Sequence, residues 1–435
     1  MANYSIEGGQ KLSGTITTNS SKNGSLALIA AALLNDGVTI LHNVARIEEV
    51  NRFLEVIKSL GVTCEWIDEH DLRIDPTNGI HPETIDQKAA VRTRVVLYLL
   101  GSLVHHHTSF KIPQPGGCRL GKRTVLPHLL ALQDFGIAIE TTEENYEVAA
   151  KKLTPVDRLV LYESGDTVTV NAILAAARIP GVSQIRLASA NYQVQDVCYF
   201  LQGLGVSIDG IGSTTLTITG KEKITVDEYH YTVTEDPIET MLFLSIAATT
   251  NSAITIKRCP IEFIELEIAT LRLMGLQMTI SPMYKAHNGH TDLVDITTHE
   301  STLVAPPEKI HPRPFPGLNI DNLPFFAPIA TQADGQTFIF DWVFEERVIY
   351  FTELKKLGAS VTLVDPHRVF IQGKTPLQAA EIMCPPALRP STIIMVAMLA
   401  ARGTSLLRNV YSIERGYENL PVRLAALGAR ITKVD

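Results

Sequence analysis

The chain has 435 residues, 45% of them hydrophobic and 19% charged, and a formal net charge of −8. That length is too great for one ordinary core and predicts two domains or three. The composition excludes a disordered chain, and the negative balance excludes a general nucleic-acid binder, so any basic site must be local.

From the start of the chain, Met1–Gly9 shows no basic segment leading into an apolar one, so no secretory signal is expected. The longest apolar runs, 25–34 and 393–401, fall short of the roughly 20 residues of a membrane span, and no membrane partner is expected. Five scattered cysteines (Cys64, Cys118, Cys198, Cys259 and Cys384) include no Cys-x-x-Cys pair. That usage fits a reducing cytoplasm better than a disulfide framework or a zinc site.

A pattern of apolar, two variable residues, apolar, glycine, apolar runs along the whole chain: Ile57–Val62, Leu132–Ile137, Leu201–Val206, Leu271–Leu276, Leu354–Ala359 and Leu424–Ala429. The glycines lie 75, 69, 70, 83 and 70 residues apart. Each is expected to end a helix in the left-handed conformation. The alternating run after it, such as 359–363, reads as a strand. Upstream, five segments combine an Ala-rich helix, a turn with Gly or Asn, and a strand: 29–41, 173–187, 246–256, 329–340 and 395–407. The result is six βαβ-type units of about 72 residues, longer than the common solenoid repeats. Closed three by three, they predict two pseudo-symmetric lobes, and clefts between domains favour ligands.

The chemistry concentrates in Pro113–Arg123, Pro-Gln-Pro-Gly-Gly-Cys-Arg-Leu-Gly-Lys-Arg. Gly116 and Gly117 let the backbone approach a ligand closely, and Arg119, Lys122 and Arg123 lie within five residues of Cys118. Such a loop brings a nucleophilic or proton-carrying thiol to an anion. The plain alternative is a surface turn around a buried, inert cysteine. His105-His106-His107 reads as strand, whose alternating faces keep three consecutive side chains from meeting at one metal, so none is expected. Gly210-Ile-Gly212 reads as a turn and not a nucleotide loop, and Trp66 and Trp342 as core or cleft-wall residues. Taken alone, Lys22 reads as solvated, and Arg347, Arg389 and Arg415 as surface salt-bridge formers. Only their joint placement with Cys118 favours a site.

In order and at matching separations, these strings resemble the UDP-N-acetylglucosamine enolpyruvyl (1-carboxyvinyl) transferases, from about Ile6 to Ile431. Ser21-Lys22-Asn23 is similar to the family's Ala/Ser-Lys-Asn, which implies that Lys22 and Asn23 hold phosphoenolpyruvate and sugar. Arg94 falls where the family has an arginine on the nucleotide side of the acceptor. Pro115-Gly-Gly-Cys118 resembles the catalytic loop attacked by fosfomycin. Arg123 resembles the arginine that binds phosphoenolpyruvate, and Arg123, Thr124, Val125, Leu126 and Pro127 the stretch that holds the UDP-sugar. Val343-Phe-Glu-Glu-Arg347 resembles Val-Phe-Glu-Asn-Arg, Leu388-Arg389 a Leu-Arg, and Glu414-Arg415-Gly-Tyr-Glu418 an Asp-Arg-Gly-Tyr-Glu. Counting back from Val343 puts Asp321 on the family's acid–base aspartate, although Phe315–Asp321 carries residues that the family's Phe-Pro-Thr-Asp lacks.

The resemblance implies an α/β fold, a two-lobe inside-out barrel with three repeats per lobe. It implies one lobe of residues 21–233 carrying the Cys118 loop, a second of 1–20 with 234–435, and a site between them. It also implies an activity: transfer of the enolpyruvyl group of phosphoenolpyruvate to the 3′-hydroxyl of UDP-N-acetylglucosamine with release of phosphate, the first committed step of peptidoglycan synthesis, without a cofactor. Cys118 would protonate C3 of phosphoenolpyruvate and Asp321 would take the hydroxyl proton. Lys22, Arg123, Arg347, Arg389 and Arg415 would share the substrate's phosphate and carboxylate.

The departures cluster on the acceptor side. Glu163-Ser-Gly-Asp-Thr167 stands for the family's Lys-Val-Ser-Val-Gly, Thr124-Val125-Leu126-Pro127-His128 for Pro-Val-Asp-Leu-His, and Tyr98 for a tryptophan. An enolpyruvyl transferase for another nucleotide or sugar acceptor, and a silent UDP-sugar-binding paralogue, are the competing readings.

Overall fold

A computed structural model describes residues 2–115 and 124–434 of the chain. The six repeat glycines share one conformation: φ is 91° at Gly61, 87° at Gly136, 85° at Gly205, 93° at Gly275, 90° at Gly358 and 93° at Gly428. In five of the six units the following residue donates its N–H to the carbonyl five residues back, as Ile137 does to Leu132 at 3.3 Å and Val206 to Leu201 at 3.0 Å. This closure explains the flanking apolar positions, because the residue after the glycine folds back onto the one that opens the pattern. The upstream turns behave alike, with positive φ at Gly181, Asn251, Gly335 and Gly403.

Each unit sends one helix inward and lays its strands outside. The Pro237–Thr250 helix is buried from Pro237 to Thr249, and the Leu388–Ala400 helix from Arg389 to Leu399. The Lys22–Ala32 helix is buried from Gly24 to Ala32, and the Asp166–Ala177 helix from Val168 to Ala177. Helices without a polar face must be enclosed on all sides. The strands instead alternate buried and exposed residues, as Gly403–Arg408 and Glu228–Thr232 do, and form six separate three- to five-stranded sheets. Sheets thus cover helices, which is the inside-out α/β arrangement.

The first strand of the chain joins the sheet of its last strands. Asn3–Gly8 pairs antiparallel with both Gly403–Arg408 and Arg430–Val434, with Ile6 opposite Ser405 and Ile431. Ser13–Thr17 then pairs parallel with Ala253–Lys257. The first lobe closes where Glu228–Thr232 pairs parallel with Val38–His42. One hydrophobic core gathers buried residues from Leu26 to Val233. The other takes Tyr4, Ile6, Leu12 and Ile16 together with Tyr192 and residues from Ile238 to Ile431.

One expectation is corrected, that the histidine triplet lies on a strand. The inner helix of the second unit is broken into short turns, Arg94–Tyr98, Leu99–Ser102 and Leu103–His105. The histidine triplet therefore ends a helical turn and is not strand. Its rings diverge because each Nε2 meets a different carbonyl: Leu174 at 2.9 Å, Leu33 at 2.7 Å and Ile80 at 2.6 Å. Burial pushes His105 down to about 3, so its ring is a neutral donor to the Leu174 carbonyl. Trp342 is 48% exposed, its indole N–H donating to the Pro312 carbonyl at 2.8 Å, whereas Trp66 lies against the first core under the Arg46 guanidinium. Among the described residues, no helix is long and apolar enough to cross a membrane.

Candidate active site

Several inner helices bring their N-termini together. Lys22 opens its helix, and Ser21 caps it by accepting the Gly24 N–H at 2.9 Å. The Lys22 backbone N–H donates to Asp236 Oδ2 at 3.3 Å, across to the helix that Asp236 itself caps by accepting from Ile238 and Glu239. Arg389 stands in the first turn of a third such helix, Leu388–Ala400. Asp321 precedes a fourth, since the Leu323–Phe325 turn runs directly into Phe326–Gln332. The partial positive charge at such termini suits an anionic substrate.

Asp321 lies between two guanidinium groups. Its Oδ2 is 3.4 Å from Arg389 Nη2, and its Oδ1 is 3.8 Å from Arg347 Nη1. Arg389 is nearly buried, and its Nη1 also donates to the Tyr417 hydroxyl. Arg347 is only 1% exposed. Its Nε is 2.5 Å from Asp341 Oδ2, its Nη2 donates to the Ile320 carbonyl at 2.7 Å, and its guanidinium lies 4.3 Å from the Phe344 ring. Arg347 is therefore held inside the protein by its own partners. The fully buried Asp341 carboxylate engages it, and what remains of the fork supports Asp321 and the residue before it.

Around this centre stand the other cations. Burial pushes the Lys22 ammonium pKa down; Glu49 opposes that shift, and Arg389, Asp321 and Arg415 add smaller contributions of alternating sign. The Asn23 side-chain amide donates to the Tyr192 hydroxyl at 3.1 Å. Arg415 Nε pairs with Glu49 Oε2 at 3.0 Å, and the Thr93 hydroxyl donates to Glu49 Oε1 at 2.7 Å. That pair ties the second lobe to the first beside a parallel contact, His70 Nε2 to Glu418 Oε1 at 2.9 Å.

Arg94 Nη2 donates to the Thr124 carbonyl at 3.1 Å, so Arg94 and the Thr124–Pro127 segment come together at the start of the Leu126–Gln133 helix. Val343 is exposed. Cys118, Arg119, Lys122 and Arg123 lie outside the described residues.

Sequence reasoning missed the acidic partners Glu49 and Asp341, and one carboxylate inside the altered acceptor segment. Asp166 opens the Asp166–Ala177 helix, and its oxygens accept from Ser189 Oγ, from Asn191 Nδ2 at 3.0 Å and from Gln193 Nε2 at 2.9 Å. Burial raises its pKa, and Asp321 contributes to that rise. The only early signal was the acidic residue itself in a segment where the family carries a lysine. A separate cavity of about 410 Å³, lined by His42, Tyr199, Tyr229, His230, His287 and His290 among others, shares no residue with this centre.

The model of the EPSP synthase (3-phosphoshikimate 1-carboxyvinyltransferase) family matches residues 6–424. The chain belongs to that family. It is 34% identical over 436 residues to a UDP-N-acetylglucosamine 1-carboxyvinyltransferase of Bradyrhizobium diazoefficiens, covering 99% of this chain and 98% of the relative. It is 32% identical to the protein of the same name from Treponema denticola, covering 99% of each. Among solved structures, the enolpyruvyl transferase NikO from Streptomyces tendae superposes with a TM-score of 0.85 at 22% identity, over 100% of this chain and 99% of that one. EPSP synthase from Acinetobacter baumannii superposes with a TM-score of 0.74 at 18% identity, over the whole of both chains. At those identities the structures bear on the fold alone, and the likeness agrees with the α/β architecture described above.

Proposed function

We propose that this enolpyruvyl transferase moves the enolpyruvyl group of phosphoenolpyruvate onto the 3′-hydroxyl of UDP-N-acetylglucosamine, releasing phosphate in the first committed step of peptidoglycan synthesis in the cytoplasm. Support comes from full-length relatives that carry this activity as their name. The observation that carries the reading is Asp321, an aspartate held between Arg389 and Arg347 in the neighbourhood of Lys22. The active site lies in the cleft between one lobe of residues 21–233 and another of 1–20 with 234–435.

In this reading the Cys118 thiol delivers a proton to C3 of phosphoenolpyruvate, making C2 electrophilic. The acceptor oxygen attacks C2 while Asp321 takes the hydroxyl proton, giving a tetrahedral intermediate. Loss of a proton from C3 and cleavage of the C2–O bond to phosphate restore the double bond and release phosphate. Lys22, Arg123, Arg389 and Arg415 bind the phosphate and carboxylate, and the converging helix N-termini add to the stabilisation of charge as it shifts. Arg94 with Thr124, Val125, Leu126 and Pro127 holds the nucleotide side of the acceptor, and Asn23 the sugar.

The test is phosphate release from phosphoenolpyruvate with and without UDP-N-acetylglucosamine. Release that requires this acceptor supports the reading. Folded protein that binds phosphoenolpyruvate yet releases no phosphate refutes it and turns attention to Asp166 and the 163–167 segment.

A further inference from the structure

One buried carboxylate outside the described cluster reaches back to it. Glu267, on the Glu265–Leu273 helix, is 1% exposed. Its Oε1 accepts from the Asn319 backbone N–H at 3.0 Å and from the Asn322 side-chain amide at 2.8 Å. Burial raises its pKa and these two donors work against the rise. A buried carboxylate is costly unless donors satisfy it, and here both donors belong to the turn that carries Asp321.

Asn319 passes the constraint on. Its Oδ1 accepts the Asp321 N–H at 2.9 Å, and its carbonyl accepts the N–H groups of Asn322 at 3.0 Å and Leu323 at 3.2 Å. From the other side, Arg347 Nη2 donates to the Ile320 carbonyl at 2.7 Å. The turn 319–322 is thus gripped by a buried anion on one side and a buried cation on the other. It lies at the end of the 315–321 insertion, where the chain departs from the pattern of its family.

We propose that Glu267 is a positioning residue for the transfer reaction: through Asn319 and Asn322 it fixes the turn that sets Asp321 against Arg389 and Arg347. This role rests on Asp321 being the base of that reaction. A carboxylate that only stabilised the fold would alter thermal stability without separating kcat from KM, so the two roles differ in what they move.

The experiment compares the full chain with Glu267→Gln, Glu267→Ala and Asn319→Ala. It measures phosphate release against both substrates and deuterium uptake by the backbone of residues 317–323. Misplacing a catalytic group by about 1 Å costs up to ~10²-fold in rate. Glu267→Ala is therefore expected to lower kcat by about tenfold or more, with both KM values within about threefold. Glu267→Gln keeps an acceptor oxygen for both donors and should restore kcat to within about threefold of the original. Uptake at 317–323 should quicken in Glu267→Ala and not in Glu267→Gln. Asn319→Ala acts at a partly exposed residue, leaves Glu267 in place and should show the same loss of kcat; it decides the matter if Glu267→Ala does not fold. Unchanged kcat in the folded Ala variants, or equal damage in Glu267→Gln and Glu267→Ala, overturns the proposal. If the original protein releases no phosphate with UDP-N-acetylglucosamine, the assigned acceptor fails. Deuterium uptake then still decides the clamp, because unchanged uptake in Glu267→Ala and Asn319→Ala would overturn it without reference to any substrate.

Discussion

Asp321 Oδ2 lies 3.4 Å from Arg389 Nη2, joining a turn and a helix start that are 68 positions apart in the chain. In the proposed reaction this contact orients the carboxylate that takes the acceptor's proton. Asp321→Asn keeps the shape and removes the basic oxygen. Its kcat should fall by about 10²- to 10⁴-fold while acceptor KM changes little, measured by steady-state phosphate release. A kcat near the original would remove Asp321 from the proton transfer.

The described thiols are poor nucleophiles. Burial pushes Cys64, Cys198 and Cys259 up to about 12 and Cys384 up to about 11. Since the thiolate is the reactive form, native protein should take one equivalent of fosfomycin or iodoacetamide, at Cys118. Intact mass should show a single adduct in the original chain and none in Cys118→Ala. Labelling that persists in Cys118→Ala would place the reactive thiol elsewhere.

Lys22 has a lowered pKa, with burial as the main cause. Its ammonium attracts phosphoenolpyruvate only while protonated, so affinity should fall as pH rises through a limb lying below the ordinary lysine value of 10.5. Lys22→Arg stays charged at all accessible pH and should move that limb upward, read by calorimetric titration between about pH 7 and 10. Identical profiles for the two proteins would show that another group sets the limb.

Asp196, on the Tyr192–Gly203 helix, is a further buried carboxylate. It accepts from the Tyr231 hydroxyl at 2.6 Å and the Thr234 N–H at 3.2 Å, and burial raises its pKa to about 7. Between the ordinary aspartate value of 3.8 and about 7 the folded chain holds a proton that the unfolded chain has lost. Stability from this group is therefore full below that window and declines as pH rises through it. Asp196→Asn should flatten the pH dependence of Tm across the same window in calorimetric melts. An unchanged slope would assign the proton to another residue.

Much of the architecture was legible because a single chemical constraint repeats. A residue that must take φ near +90° and carry apolar neighbours on both sides leaves the same six-residue trace each time, at Gly61 as at Gly428. The second unit's inner helix gave no such trace, and its Arg94–His105 segment is indeed fragmented. Lys22, Asp321, Arg389 and Arg415 could be placed from short strings with fixed order. Their partners could not: Glu49 is 366 positions from Arg415 and Glu267 is 55 from Asn322, and nothing local marks either as an acceptor of those bonds. Arg347's buried partner was hidden for the same reason. Its string matched, but Asp341, six residues away, decides that its charge is neutralised inside the protein.

The inside-out layering has an electrostatic corollary for protein engineers. Three helix starts, those of Lys22–Ala32, Pro237–Thr250 and Leu388–Ala400, come together around Lys22, Asp236 and Arg389. Their polarity belongs to the backbone, carries no ionisable proton and survives any side-chain exchange. Successive removal of lysines and arginines around Lys22 should thus leave a residual anion affinity that comes from the backbone.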